Sequence, residues 1–302
     1  MDIELRHLRS FVALAEERHF GRAAKRLNIA QPPLSRQIQD LEHELGAELV
    51  DRSTRPVRLT AAGEAFLEET RVTLEQAQRT LDRGRAAGRG LGWLSVAALP
   101  WAYNGLVPDV VRAFRARLPE VKLRLDIMAP VDQATALREE RVDVGFSQWM
   151  IDTRGLTAEP LLEEPLVAVV PEEHPLAERE LLSLEEVARE PFIAMCSVCT
   201  PHVAEEQAAL FRSRGLLRSV VQETCSVLHQ LGLVAAGLGI GLSLASSANL
   251  RRRGVAFVPL ERDTPTSTFF LLWRRDEERE VVRGFLETAR QVARGRESVP
   301  PK

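Results

Sequence analysis

Apolar residues recur at helical spacing through Leu5, Leu8, Phe11, Val12 and Ala15, predicting an amphipathic helix that ends near Arg18 and His19. A second short helix over 21–28 buries Ala23, Ala24 and Leu27 and stops at Asn28. A third opens on Gln31-Pro32-Pro33, where the N–H that proline lacks has no helical partner in any case. It continues through Leu34, Ile38, Leu41 and Leu45 to Gly46, a helix stop. Two short helices on a tight turn, the second with Gln31, Ser35, Arg36 and Gln37 on its polar side, form the helix-turn-helix pattern. Gln and Arg can pair with adenine and guanine edges in the major groove, and Ser35 can bond a phosphate. On the pattern alone, a small helical bundle with a solvated polar face remains an alternative. Residues 48–52 and 56–60 read as two strands around a turn at Ser53-Thr54-Arg55, a basic wing.

Residues 61–88 read as one long helix in which Leu67, Leu74 and Leu81 repeat at seven, with Thr70, Ala77 and Gly84 between them. That seam, with Leu67, Leu74, Ala77 and Leu81 as its contact positions, predicts pairing with a second copy. Gly88-Arg89-Gly90-Leu91-Gly92 then breaks the helix as a hinge. Beyond it the texture becomes an alternation of strands (94–99, 121–128, 142–147, 166–171, 192–195, 220–223, 240–244, 255–260, 268–273) and helices (105–118, 131–139, 202–214, 227–236, 277–293). The predicted fold is a two-lobed α/β domain preceded by an all-α winged head and a linker helix. Its boundaries are 1–60, 61–90 and 91–302, with lobe I at 91–163 and 266–302 and lobe II at 164–265. Two crossings, near 161–165 and 260–267, frame a cleft where a small ligand belongs.

Composition adds exclusions. No run approaches the roughly 18 apolar residues of a membrane span. Met1-Asp2-Ile3-Glu4-Leu5-Arg6 lacks the form of a secretory signal, so a cytoplasmic protein with no membrane partner is expected. Net charge is −3, and all but three of the 40 basic residues are arginine, a bias that fits a GC-rich genome as well as phosphate recognition. Cys196, Cys199 and Cys225 are too few for a disulfide framework and suit a reducing compartment. No phosphate loop, G-x-S-x-G or H-E-x-x-H is present, and Gly237-Leu238-Gly239-Ile240-Gly241 lacks dinucleotide spacing. No enzyme, cofactor or metal is therefore expected.

Leu5 to Ala13, Phe20 to Ala24, Ile29 to Ile38, Leu41-Glu42, Leu45-Gly46, Leu49 and Leu59 to Gly63 resemble the N-terminal domain of LysR-type transcriptional regulators. Leu231 to Gly241 looks like that family's effector-domain signature. Residues 7–59 and 104–148 look especially like the branch that controls degradation of aromatic compounds in response to muconate- or benzoate-like acids. The resemblance implies a winged helix-turn-helix, a dimer of dimers, double-stranded promoter DNA and a small-molecule effector as partners, and RNA polymerase as a further one. It puts Gln31, Pro32, Pro33, Ser35, Arg36 and Gln37 at bases and phosphate, and Arg52, Thr54 and Arg55 on the wing. In that branch a serine and a threonine hold the effector carboxylate; Trp101 and Pro130 stand there instead. The N–H groups of Trp101 to Gly105 are then the expected anion site, or Trp101 fills the cleft or stacks on an aromatic ligand. Tyr103, Asn104, Gln148, His202 and Val227 complete the expected effector set. Cys196-Ser197-Val198-Cys199 leaves inert thiols, a redox pair and a zinc set with Cys225 and His202 as alternatives. A regulator that ignores ligands and one that senses oxidants are the other functional readings.

Overall fold

The computed structural model describes residues 3–54, 56–88, 92–149, 152–261 and 264–297. Arg55 and the hinge residues 89–91 lie outside them. The chain divides into two compact units, 1–90 and 91–302.

The first unit contains α1 (Leu5–Glu17), α2 (Phe20–Arg26), α3 (Gln31–Leu45), β1 (Val50–Asp51), β2 (Arg58–Leu59) and α4 (Ala61–Ala87). The apolar stripes of the first three helices meet at Phe11, Leu14, Ala23, Leu34, Ile38 and Leu41, all within a few per cent of full burial. α4 joins this core through Phe66, whose ring lies 5.3 Å from that of Phe11. The wing strands are shorter than their sequence suggests, two residues each, pairing Val50 with Leu59 and Asp51 with Arg58. A side chain at Gly63 would place its Cβ 2.1 Å from the Leu49 carbonyl oxygen, so only glycine lets α4 start this close to the wing. Thr60 fixes that start, accepting the Gly63 N–H at 3.0 Å and donating to the Glu48 carbonyl at 2.6 Å.

The second unit holds β3 (Trp93–Ala98), a 3-10 turn at Pro100–Asn104, α5 (Leu106–Arg117), β4 (Lys122–Ile127), α6 (Pro130–Arg138), β5 (Val144–Ser147) and β6 (Leu156–Glu164). There follow β7 (Leu166–Pro171), α7 (Leu184–Arg189), β8 (Pro191–Met195), α8 (Pro201–Ser213), β9 (Ser219–Thr224), α9 (Val227–Ala235), β10 (Gly241–Leu244), β11 (Val255–Pro259), β12 (Ser267–Arg274) and α10 (Glu280–Glu297). Lobe I is the five-stranded sheet β4-β3-β5-β12-β6, parallel at β3 with β4 and β5 and antiparallel where β12 returns. It is therefore mixed, parallel only among β4, β3 and β5. β6 was unexpected, since its alternation is broken by Pro160 and by Glu163-Glu164. α5 and α10 cover one face through Phe114 and Phe285, 5.1 Å apart. Lobe II combines the antiparallel sheet β10-β7-β11 with the parallel pair β8-β9 around Phe192, Phe211 and Leu242. The chain crosses between lobes at Pro165 and again between β11 and β12.

α10 begins three residues later than periodicity suggests. The Glu277 carboxylate is buried and holds the guanidinium groups of Arg274 and Arg279, while Arg279 also reaches fully buried Asp143 at 2.5 Å. Asp143 in turn accepts the Ser95 N–H at 2.7 Å. Burial pushes the Glu277 pKa up, but the hydrogen bonds and positive charge of Arg279, with Arg274, outweigh it and hold the group below the usual carboxylate range.

Candidate DNA-reading surface and effector pocket

Gln31, Pro32, Pro33 and Arg36 stand exposed on the first turns of α3, and Ser35 is half-buried beside them. Pro32 and Pro33 leave backbone donors missing where a helix has none to satisfy, so the helix starts cleanly at Gln31. The turn before it folds because Asn28 adopts φ 54°, a left-handed conformation open to asparagine. Gln37 does not share this face; its Oε1 accepts the Ser10 hydroxyl of α1, which makes it a strut between two helices.

Arg52 is also committed elsewhere. It ion-pairs with Glu42 at 2.5 Å and lies 5.9 Å over the Phe20 ring, while the other Glu42 oxygen accepts the N–H groups of Leu49 and Val50. Glu42 thus fastens the wing to α3. Thr54 donates to the Pro56 carbonyl at 3.2 Å, and Asp51, whose pKa is lowered by hydrogen bonds from Ser53, closes the same turn. Arg22 and Arg26 pair with Glu17 and Glu16. Of the expected linker seam, Leu67 packs on the helix-turn-helix core, Leu74 and Ala77 are half-buried, and Leu81 is 47% exposed.

Between the lobes of the second unit lies a partly open cavity of about 50 Å3. Trp101 and Gln148 face it from lobe I, and Val203, Glu206, Gln207 and Val227 from lobe II, with Ser243, Ser247 and Ser267 also on its wall. The Trp101 indole N–H donates to the Gln148 amide oxygen, and the Gln148 amide N–H donates to the Ser267 hydroxyl at 2.7 Å. Trp101 meets Trp149 edge-on at 5.9 Å, and Trp149 stacks on His202 at 5.3 Å. Glu206 takes hydrogen bonds from Ser267 and Trp149, yet loss of surrounding water raises its pKa. Gln207 is held to the Leu242 carbonyl by its amide N–H at 3.1 Å.

Four expected effector contacts sit elsewhere. Tyr103 points to the outer edge of lobe I, its hydroxyl 3.4 Å from the Asp126 carbonyl, and burial raises its pKa. Asn104 presents its carbonyl to the Asn249 amide at 2.6 Å, tying the two lobes behind the cavity. Pro130 is a buried first residue of α6, chosen for its fixed φ. His202 is exposed and touches Trp149 rather than the cavity wall. The expected anion site at 101–105 is likewise altered, because the segment is a 3-10 turn whose Ala102 and Gly105 N–H groups are already donated to Leu99 and Ala102. Trp149, Glu206, Gln207, Ser243, Ser247 and Ser267 were missed; no local motif marks them, since tertiary folding alone gathers them. The cysteines also depart from expectation: Cys199 and Cys225 form a disulfide and Cys196 is a free, half-buried thiol.

Residues 5–64 match the family described as bacterial regulatory helix-turn-helix protein, lysR family, and residues 87–294 match the LysR substrate binding domain. The transcriptional regulator CatR of Pseudomonas putida is 38% identical over 96% of this chain and all of its own. The crystal structure of full-length CbnR complexed with its target DNA is similar at TM-score 0.85 and 30% identity, covering 96% of this chain and 99% of that one. The BenM effector binding domain with its effector benzoate matches at TM-score 0.64 and 26% identity, covering 70% of this chain and 96% of that one. This chain belongs to the LysR family of helix-turn-helix transcriptional regulators.

Proposed function

We propose that the protein controls transcription by binding promoter DNA through α3 and the wing, under control of a small aromatic acid held between the lobes. The observation that carries this reading is the pairing, in one chain, of a free polar face on α3 with an interlobe cavity walled by Trp101 and Gln148. Gln31, Ser35 and Arg36 supply base-edge and phosphate contacts; Pro32 and Pro33 bring the helix start close to the backbone. Arg52, Thr54 and Arg55 belong to the wing, with Arg52 acting first as the brace on Glu42. In the pocket Trp101 offers a ring face and edge, while the Gln148 amide and Ser267 hydroxyl suit a carboxylate.

Trp101 is bonded to Gln148 across this cavity and Trp149 stacks on His202 between the lobes, so an effector that takes the Gln148 amide displaces Trp101 and shifts the Trp149–His202 stack. That movement between lobes is the source of coupling to the DNA-reading heads. α4 pairs two copies through Leu74, Ala77 and exposed Leu81, giving two heads for a dyad operator, and a dimer of dimers extends this. RNA polymerase is the partner through which activation acts. The protein works by binding rather than catalysis, and does so in the cytoplasm, where its DNA lies; no described helix is long and apolar enough to cross a membrane. Thermal unfolding of the full chain against benzoate, muconate and related acids tests the effector reading, because a ligand of the native state raises its stability. A shift lost in Gln148→Ala is expected. A shift unchanged by that substitution, or none with any acid, would contradict it.

A further inference from the structure

Where β8 and β9 end, side by side at Met195 and Thr224, the next residue of each strand is a cysteine. The Cys196 N–H donates to the Thr224 carbonyl at 2.9 Å, and the Cys196 carbonyl accepts both the N–H and the hydroxyl of Thr200 at 2.9 Å. These two hydrogen bonds from Thr200 fold the turn back and bring Cys199 beside the strand ends. Three backbone segments thus deliver three sulfurs that all lie within 4.8 Å of one another. A cross-link between β8 and β9 needs only two of them, Cys199 and Cys225. The third, Cys196, is a free thiol held in the same cluster by its own backbone hydrogen bonds. His202, one turn further on, is engaged with the Trp149 ring, and no fourth His, Cys, Asp or Glu joins the group among the described residues.

We propose that the reduced cluster of Cys196, Cys199 and Cys225 binds a thiophilic centre satisfied by three sulfur ligands, the chemistry of trivalent arsenic. Sulfurs bound at about 2.3 Å to one pyramidal centre stand about 3.5 Å apart, which the cluster accommodates once its disulfide opens. A structural zinc site takes four protein donors and this cluster supplies three, leaving zinc a water as its fourth ligand, while softness of the ligands rules against magnesium or calcium. A phosphine opens the site: it takes up an oxygen from water to become its oxide, and the disulfide gains two electrons and two protons to become two thiols. Arsenite then exchanges its three hydroxyls for the sulfurs of three thiols, each thiol proton leaving with a hydroxyl, so that three As–S bonds form and three waters are released with no change of oxidation state.

The test uses the full chain, reduced with a phosphine, desalted without air and titrated with arsenite while free thiols are counted with a disulfide dye. One equivalent of arsenite is expected to mask all three thiols, and an equal concentration of zinc is expected not to displace it. Cys196→Ser should weaken arsenite binding about a hundredfold by removing the third tethered ligand. The same variant should bind phenylarsine oxide, which needs two thiols, as the unaltered protein does, which also shows that its remaining pair is intact. Masking of only two thiols, equal arsenite affinity in Cys196→Ser, displacement by zinc, or no stoichiometric masking would each overturn the proposal.

Discussion

The imidazole of His202 on lobe II lies 5.3 Å from the indole of Trp149 on lobe I, with the two planes 29° apart. The same indole meets Trp101 edge-on, so one aromatic chain runs from the cavity wall to the outside of lobe II. The lobes are thereby held together by contacts that an entering ligand must break.

Stacked rings of this kind carry about 0.5–1.5 kcal/mol beyond their buried area. A double-mutant cycle of Trp149→Ala and His202→Ala should show coupling of about that size in urea unfolding of the full chain. Strict additivity of the two substitutions would mean that the stack does not hold the cleft shut.

Glu206 gives effector binding a pH dependence. Its pKa is raised by loss of water, only partly offset by Ser267 and Trp149, and an anion beside it raises the value further. Binding of benzoate therefore takes up a proton, and affinity should increase as pH falls through the raised pKa of Glu206. Glu206→Gln should bind with little pH dependence; an unaltered pH slope in that variant would place the linkage elsewhere.

Acid stability follows from Glu277 with the opposite sign. Its folded pKa lies below the unfolded value, so its contribution is fully present above about 4.5 and is lost as pH falls through the lower folded value. Glu277→Gln should cost about 1–3 kcal/mol at neutral pH by leaving Arg274 without its carboxylate, while Arg279 keeps its pair with Asp143. Melting temperatures between about pH 3 and pH 7 should then vary less than in the unaltered chain. A parallel pair of curves would refute this role.

Gly63→Ala should destabilise the N-terminal unit by about 1–3 kcal/mol, since the new methyl group meets backbone rather than a movable side chain. Limited proteolysis should show an earlier opening of the wing. Equal resistance of the variant would contradict the close approach to Leu49.

Much of this architecture is legible in the chain because period and punctuation are local. The stripes of α1 and α3, the prolines at Gln31-Pro32-Pro33 and the stop at Gly46 are read within a few residues. What escapes is non-local. Gln37 sits on the flank between the apolar stripe and the polar face of α3, and only Ser10, on another helix, draws it inward. Arg52 carries the charge expected of a wing contact, but Glu42 claims it from ten residues away. The C-x-x-C spacing suggests Cys196 with Cys199, whereas the pairing of β8 with β9 joins Cys199 to Cys225 across 26 residues. Ser267 and Glu206 reach the cavity from separate lobes, so no stretch of sequence contains the site.

The central claim is that the exposed start of α3 reads DNA, and the most direct measurement is selection of binding sequences from random duplexes by the full chain, repeated with Arg36→Ala. The account predicts enrichment of one two-fold symmetric sequence by the unaltered protein. Against that sequence, Arg36→Ala should lose about 1–3 kcal/mol of binding in a mobility-shift titration. Failure to enrich any sequence, or equal affinity of the two proteins for it, would contradict the account.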